Sequence, residues 1–173
     1  VLHEQREEFT DIRPGISAII HQPHLEFGMM MPHWHERIEI WRIQQGSINI
    51  VCDQEAVAAQ RGDIVIFNPC EIHSSLATSE SVVDVYLIDL GDLAARDSDI
   101  ETILSRLRCG DIRFCHHIRE RSDLWELLEE FTGLYAGRAD DPSLSMSLFG
   151  LLYSFFGKLY REYVYVREEH AHH

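Results

Sequence analysis

The pattern of apolar and polar positions divides this chain into two parts that meet near residue 90. In the first part, short apolar segments are separated by turn residues at intervals of about ten residues. Ile38 and Ile40, and later Ile48 and Ile50, alternate with polar neighbours, as half-buried strands do. The predicted strands are Ile16–His21, His33–Ile43, Ser47–Cys52, Ala56–Gln60, Asp63–Asn68 and Val82–Leu90. This spacing is typical of an all-β sandwich or barrel.

In the second part the apolar positions follow a helical period, which predicts three amphipathic helices. A capping box at residues 98–101 begins the first helix, and the second begins near Asp123. Asp141 and Pro142 begin the third, which we expect to reach about Val164.

The third predicted helix carries two apolar stripes side by side. They are Leu148, Leu152, Phe155, Leu159 and Tyr163, and then Phe149, Tyr153, Phe156 and Tyr160. An apolar face this broad predicts a helix that is buried on two sides. We expect one side to pack on its own domain and the other to form a homodimer through residues 142–164. The alternative is a central core helix in a monomer.

Patterning and composition together predict four segments. Residues 1–15 are polar and are expected to form a flexible N-terminal arm, and 16–95 to form the β-barrel. Residues 96–165 would be a helical dimerisation and linker region, and 166–173 a disordered tail.

The charge of the chain excludes one class of direct partner. Fifteen Lys and Arg residues against 29 Asp and Glu residues give a formal net charge of −14. A surface this acidic repels phosphate groups, so we expect no direct binding of nucleic acid or of anionic membranes. No apolar run reaches the roughly 18 residues of a membrane span. The N-terminus lacks a signal-peptide pattern, so a cytoplasmic location is expected.

Cysteine usage fits the same location. The four cysteines are Cys52, Cys70, Cys109 and Cys115, and none has CxxC spacing. We therefore expect reduced, mostly buried thiols rather than disulfides.

The strongest chemical signal is a group of histidines with a glutamate. On one continuous strand, alternate residues share a face, which would align His33, His35, Arg37 and Glu39. His73 would reach them from an adjacent strand. Imidazoles with a carboxylate suit a divalent transition metal such as Zn²⁺, Ni²⁺, Fe²⁺ or Mn²⁺. Arg37 could equally bind a carboxylated effector or pair with an acid, and His73 could instead hold the barrel rim through hydrogen bonds.

The histidines and glycines lie in a spacing that resembles a known motif. Gly28-x4-His33-x-His35-x3-Glu39-x6-Gly46 is similar to the first cupin motif, with one residue fewer before the histidine pair.

A second block makes the resemblance more specific. Residues 62–73 read GDIVIFNPCEIH and resemble the second cupin motif. The phrase Asn-Pro-x-Glu-Ile-His within them resembles the N-terminal effector-binding domain of AraC-type transcriptional regulators. The resemblance covers roughly residues 16–165.

This resemblance implies a fold and a function. The fold would be mostly β with appended α, a double-stranded β-helix (cupin) barrel followed by an amphipathic helical segment. The function would be ligand sensing, with a small-molecule effector bound near His33, His35, Arg37, Glu39 and His73. The helices would mediate dimerisation, and the N-terminal arm would cover the pocket.

In such regulators a C-terminal pair of helix-turn-helix motifs binds DNA. Nothing after Val164 could form that pair, so we expect contact with DNA only through a domain absent from this chain.

Two alternatives remain open at the level of the sequence. Many domains of this kind bind organic effectors in a barrel without metal, but all four cupin ligand positions, His33, His35, Glu39 and His73, are present here. A metal-dependent cupin enzyme of the dioxygenase or isomerase type is the alternative function, because the same residues could activate water or oxygen.

Overall fold

The computed structural model describes residues 28–53, 55–137 and 141–166 in full, together with the strand backbone at 5–6, 18–21 and 24–25. In chain order the strands are β1 (Gln5–Arg6), β2 (Ala18–His21), β3 (His24–Leu25), β4 (Met29–Trp34), β5 (Ile38–Gln45), β6 (Ser47–Cys52), β7 (Glu55–Gln60), β8 (Ile64–Phe67), β9 (His73–Ala77), β10 (Ser81–Ile88), β11 (Ile112–Phe114), β12 (His117–Ile118) and β13 (Val164–Val166). The helices are α1 (Gly91–Ala94), α2 (Ser98–Cys109), α3 (Ser122–Tyr135) and α4 (Ser143–Glu162).

The strands form two large sheets around an apolar interior. One sheet has the order β1-β4-β9-β6-β7, and the other has the order β12-β8-β5-β10-β2 with β3 also paired to β10. Both sheets contribute to one buried cluster, which consists of Trp41, Ile43, Ile48, Ile50, Cys52, Val57, Ala59, Val65, Phe67, Val83, Val85 and Leu87. This cluster fills the barrel interior. The predicted fold class, mostly β with helices after the barrel, is confirmed.

Strand β5 is buried on both faces, whereas the sequence predicted a half-buried strand. Trp41 and Ile43 face the barrel interior, but Ile38 and Ile40 pack on the other side of the sheet. There they join a cluster that includes Ile64, Ile66, Tyr86, Ile88, Leu124, Leu128, Phe131, Leu148, Leu152, Phe155 and Leu159. The helices therefore cover the outer face of the six-stranded sheet and share a core with it.

A buried ion pair also joins this sheet to α3. Nε and Nη2 of Arg42 donate to Oδ2 of Asp84 at 2.8 and 2.6 Å. The guanidinium carbon of Arg42 lies 4.8 Å from the ring centroid of Trp125, at the start of α3. Because both charged groups are buried, each depends on the other to offset the loss of water.

The helix boundaries differ slightly from the predicted ones. The N-cap of α2 is Asp97, whose side chain accepts hydrogen bonds from the backbone N–H groups of Asp99 and Ile100, so the cap precedes the predicted box. Helix α4 ends at Glu162 and does not reach Val164, because the chain there enters β13 and pairs with β11.

The two stripes on α4 are buried to different extents. Leu148, Leu152, Phe155 and Leu159 are fully buried in the core shared with the sheet. The second stripe is half-buried and consists of Phe149, Tyr153, Phe156 and Tyr160. The first stripe is therefore the one that packs on its own domain, and the second stripe retains exposed apolar surface.

The predicted arm and tail lie largely outside the described residues. Within the arm, β1 pairs in parallel with β4, so that Gln5 is opposite His33 and Arg6 is opposite Trp34. Of the predicted tail, only Val166 is described, as the last residue of β13. Among the helices of the described part, none has the length and apolar character required to cross a bilayer.

Candidate metal and effector site

The segment predicted as one strand, His33–Ile43, is two strands in different sheets. Strand β4 ends at Trp34, the chain turns through residues 35–37, and β5 begins at Ile38. On one continuous strand the Cα atoms of His35 and Glu39 would be about 13 Å apart, at roughly 3.3 Å per residue. That distance is too great for one ion, so the turn is what allows these side chains to meet.

The turn and the strand pairing bring all four predicted ligand residues together. His33 on β4 is opposite His73 on β9, and Glu39 extends from β5 toward both. The potential ligand atoms of His33, His35, Glu39 and His73 all lie within 4.8 Å of one another. Nε2 of His35 is 2.9 Å from Oε2 of Glu39, and Nε2 of His73 is 3.2 Å from the same oxygen.

The second nitrogen of each imidazole is fixed by the main chain. Nδ1 of His33 lies 3.0 Å from the carbonyl oxygen of Met31, and Nδ1 of His35 lies 2.9 Å from that of Arg37. Nδ1 of His73 lies 2.9 Å from the carbonyl oxygen of Glu71. A carbonyl can only accept, so each Nδ1 donates its proton to the main chain, and Nε2 is the ring nitrogen directed into the cluster.

Glu39 is held as a carboxylate in spite of its burial. Its exposed fraction is 4%, and burial alone would raise its pKa. The hydrogen bonds with His35 and His73 outweigh that effect and hold the pKa of Glu39 well below its usual range. The indole Nε1 of Trp41 donates to Oε1 of Glu39, which leaves Oε2 directed at the two imidazoles.

Trp41 is a site residue that the sequence interpretation missed. Its position two residues after Glu39 on β5 places both on the same face of the strand, and this spacing could have identified it. Arg37, in contrast, lies in the turn, and it contributes its carbonyl oxygen to the His35 hydrogen bond. The proposed role of the Arg37 side chain in effector binding stays a prediction.

The floor of the site is aromatic. The ring of Phe67 stacks on that of His73, with centroids 4.3 Å apart and planes 27° apart. Trp41 in turn packs edge-on against Phe67, at 5.1 Å between centroids. These contacts fix the imidazole of His73 against a dry surface, which strengthens electrostatic interactions at Glu39.

A separate cavity lies in the helical layer. Its volume is about 340 Å³, and it is lined by α1, α2, β11 and α4, including Leu93, Ile103, Phe114, Tyr153 and Tyr160. None of the four clustered residues lines it. The cavity is instead bordered by the half-buried stripe of α4.

A small β-barrel with three histidines and a glutamate gathered at the turn between its sheets defines a cupin-type domain. Residues 15–152 match the family described as AraC-like ligand binding domain. The chain belongs to this family, which confirms the resemblance found in its two motifs.

Several solved structures are similar to this chain. A cupin-2 domain protein from Shewanella frigidimarina is 16% identical, over 42% of this chain and 71% of that chain, with a TM-score of 0.39. KdgF from Halomonas sp. is 21% identical, over 50% of this chain and 91% of that chain, with a TM-score of 0.38. Oxalate decarboxylase from Bacillus subtilis is 21% identical, over 43% of this chain and 21% of that chain, with a TM-score of 0.39. At these identities the similarity concerns the fold alone. No curated protein sequence gives a significant match.

Proposed function

We propose that this chain is the sensing domain of a transcription regulator, in which His33, His35, Glu39 and His73 hold a divalent transition metal and form the base of the effector pocket. The observation that carries this proposal is the shared direction of the four side chains. The Nε2 atoms of the imidazoles and a carboxylate oxygen converge, while every Nδ1 is fixed by a carbonyl oxygen. This donor set fits Zn²⁺, Ni²⁺, Fe²⁺ or Mn²⁺.

The effector class follows from the groups around the cluster. A bound metal would supply a Lewis-acidic position for an oxygen atom of the effector. Arg37 lies two residues after His35 in the turn and would supply a positive charge for a carboxylate. A small carboxylic acid or a sugar acid is therefore the proposed effector class.

Contact with DNA is proposed to belong to a separate domain. The net charge of −14 opposes direct binding to a phosphate backbone. A homodimer through α4 is part of the same proposal, because the half-buried stripe of Phe149, Tyr153, Phe156 and Tyr160 retains apolar surface beside the helical cavity.

The metal content of purified protein tests the first step. The background chain would have His170, His172 and His173 replaced by alanine, so that tail histidines bind no metal. We expect His35→Ala to contain one bound metal per chain fewer than the parent chain, and His117→Gln to contain as much metal as the parent. The affinity loss should exceed the roughly 10–100-fold that removal of an outer hydrogen-bond partner costs. Equal metal content in the two variants would overturn the assignment.

A thermal-shift screen of the metal-loaded chain with small carboxylates and sugar acids tests effector binding. A compound that raises the melting temperature of the parent but not of Arg37→Gln would support the proposal. A folded, metal-loaded sample that responds to no such compound would contradict it.

A metal-dependent cupin enzyme, of the dioxygenase or isomerase type, is the second candidate. The same four groups favour it, because four protein ligands leave coordination positions open on a six-coordinate metal such as Fe²⁺ or Mn²⁺. Turnover of a candidate substrate by the metal-loaded chain, lost in His35→Ala, would favour the enzyme over the sensor.

A further inference from the structure

A second cluster of ligand-type side chains lies where β6, the β8–β9 loop and the β11–β12 connection meet. Its members are Cys52, Glu71 and His116, with exposed fractions of 0, 2 and 4%. Their potential ligand atoms all lie within 4.8 Å of one another. Three such groups from three separate elements, buried together, are not explained by the effector site.

We propose that Cys52, Glu71 and His116 form a second metal site, which takes a divalent cation of the zinc class. A thiolate, a carboxylate and an imidazole are the three ligand types that proteins use for zinc. A soft thiolate combined with an imidazole also favours zinc over magnesium or calcium.

The imidazole of His116 is already held in a ligand geometry. Its Nδ1 lies 2.6 Å from Oε2 of Glu55, and its Nε2 lies 2.8 Å from Oε1 of Glu71. When Nε2 binds a metal, Nδ1–H would remain donated to Glu55. A carboxylate behind a ligating histidine fixes the ring and makes it a better ligand.

The carboxylate of Glu71 is fixed in a similar way. Its Oε2 accepts hydrogen bonds from the backbone N–H and the side-chain amide of Asn68, at 3.0 and 3.3 Å. Its Oε1 is thereby directed toward His116. Asn68 also exchanges hydrogen bonds with the backbone of Phe114, at 3.1 and 2.8 Å, which ties the segment before His116 to the barrel. The ligands therefore need little rearrangement to close on an ion.

The local charge favours a divalent cation. Glu55 and Glu71 bring two negative charges, and Arg113 brings one positive charge, with its Nε 3.9 Å from Oε1 of Glu71. Nε of Arg113 has no hydrogen-bond partner within the described structure. A divalent ion bound to the thiolate of Cys52 and to Nε2 of a neutral His116 would make the whole group neutral, and both the thiol proton and the Nε2 proton of His116 would pass to solvent.

Without metal, the same contacts form a buried hydrogen-bonded chain in which His116 bridges two carboxylates. Burial, together with the charges of Glu71 and Glu55, raises the pKa of the Cys52 thiol. The thiol is therefore protonated in the metal-free chain, and a cation must displace that proton.

The two sites are neighbours that share a short segment. Glu71 belongs to the second site and His73 to the first, and Cys52 is opposite His73 in the pairing of β6 with β9. The first site contains no sulfur, so a thiolate signal reports on the second site alone. The inference can therefore be tested independently of the proposed function.

Titration with Co²⁺ distinguishes the sites through that difference. In the chain with the three tail histidines replaced by alanine, we expect a near-ultraviolet thiolate-to-cobalt charge-transfer band that Zn²⁺ abolishes by competition. The band should be absent in Cys52→Ser and present in Cys115→Ser, the matched thiol control. It should also persist in His35→Ala, where the first site is impaired. Absence of the band in the parent chain, or its retention in Cys52→Ser, would overturn the proposal.

Glu55 supplies a variant that leaves the buried ligands intact. Its side chain is 59% exposed, so Glu55→Gln should fold normally. We expect Co²⁺ affinity at the thiolate band to fall about 10–100-fold. Glu101→Gln, which removes one negative charge from an exposed position on α2, should leave the affinity unchanged. Equal affinities in these two variants would contradict the role of Glu55. If Cys52→Ser proves to be unfolded, the loss of its band carries no information, and the comparison of Glu55→Gln with Glu101→Gln decides whether the second site exists.

Discussion

Nε2 of His35 and Oε2 of Glu39 lie 2.9 Å apart across the turn that carries the chain from one sheet of the barrel to the other. His35 follows the end of β4, and Glu39 is the second residue of β5. The contact therefore depends on a change of sheet within four residues. Substitutions that alter this turn should affect the site even when every ligand is retained.

Trp41→Phe tests the support of the Glu39 carboxylate. The change removes the indole N–H donated to Oε1 but keeps an aromatic ring against Phe67. We expect metal affinity to fall about 10–100-fold, because an outer hydrogen-bond partner of a ligand is lost. Chelator competition measures this, and Trp125→Phe, in the helical layer, should leave affinity unchanged. Equal affinities in both variants would mean that Trp41 only packs.

Asp84→Ala should destabilise the fold strongly. It leaves the buried guanidinium of Arg42 without its carboxylate partner, at a cost of about 3–5 kcal/mol in the free energy of unfolding. Asp123→Ala removes a carboxylate that pairs with Arg121 and Lys158 near the surface, and should cost at most about 1 kcal/mol. Urea denaturation compares the two. Similar losses would contradict the importance of burial at the Arg42–Asp84 pair.

Tyr86 should make stability depend on alkaline pH. Burial raises the pKa of Tyr86 to about 12, despite a hydrogen bond with Thr132. A raised pKa means that the folded state holds the proton more tightly. The contribution of protonated Tyr86 to the free energy of unfolding is therefore complete below about pH 10, the usual tyrosine pKa. It is lost as the pH rises through the pKa of Tyr86 in the folded state.

In Tyr86→Phe this part of the pH dependence should disappear. The difference in unfolding free energy between the parent and the variant should shrink by about 2 kcal/mol between pH 9 and pH 12. Urea denaturation at both pH values provides the measurement. A difference that stays constant with pH would refute the prediction.

Tyr153→Glu tests the proposed dimer. Tyr153 belongs to the half-buried stripe of α4, so a charge there would oppose association without entering the core. Phe155 and Leu159 are unsuitable for this test, because both are fully buried in the core and a charge there would unfold the domain. We expect a dimer in the parent chain and a monomer in Tyr153→Glu by analytical ultracentrifugation. Ser154→Glu, on the exposed face, should remain a dimer, and a monomeric parent chain would exclude the interface.

The local patterns predicted most of the elements. Turn chemistry was reliable where a backbone position demands glycine. Gly46 has a φ of +84°, and a Cβ there would overlap the carbonyl oxygen of Glu80. The missed strand β9 contains Ser74 and Ser75, and only the paired strands show that its alternate residues point inward. A polar strand in the wall of a barrel has too weak an apolar period to be recognised alone.

The site residues were named from spacing, but the geometry behind them was wrong. The sequence suggested a shared strand face, whereas the side chains converge because β4 and β5 lie in different sheets. The second cluster was not foreseen, since Cys52, Glu71 and His116 are separated by up to 64 residues in the sequence. No local sequence spacing relates these three residues. They come together only because the β11–β12 segment packs against the barrel.

Both faces of strand β5 are buried, so a movement on one face affects the packing on the other. Glu39 and Trp41 border the cluster at the barrel end, while Ile38 and Ile40 press against the helices on the reverse side. Protein interiors are packed at a density of about 0.74, so such a strand cannot move toward either face without displacing the side chains packed there. A ligand that displaces Glu39 outward would drive the isoleucines into the helical layer. Ligand binding in the barrel would then change the packing of α3 and α4, through displacement of the Ile38 and Ile40 side chains.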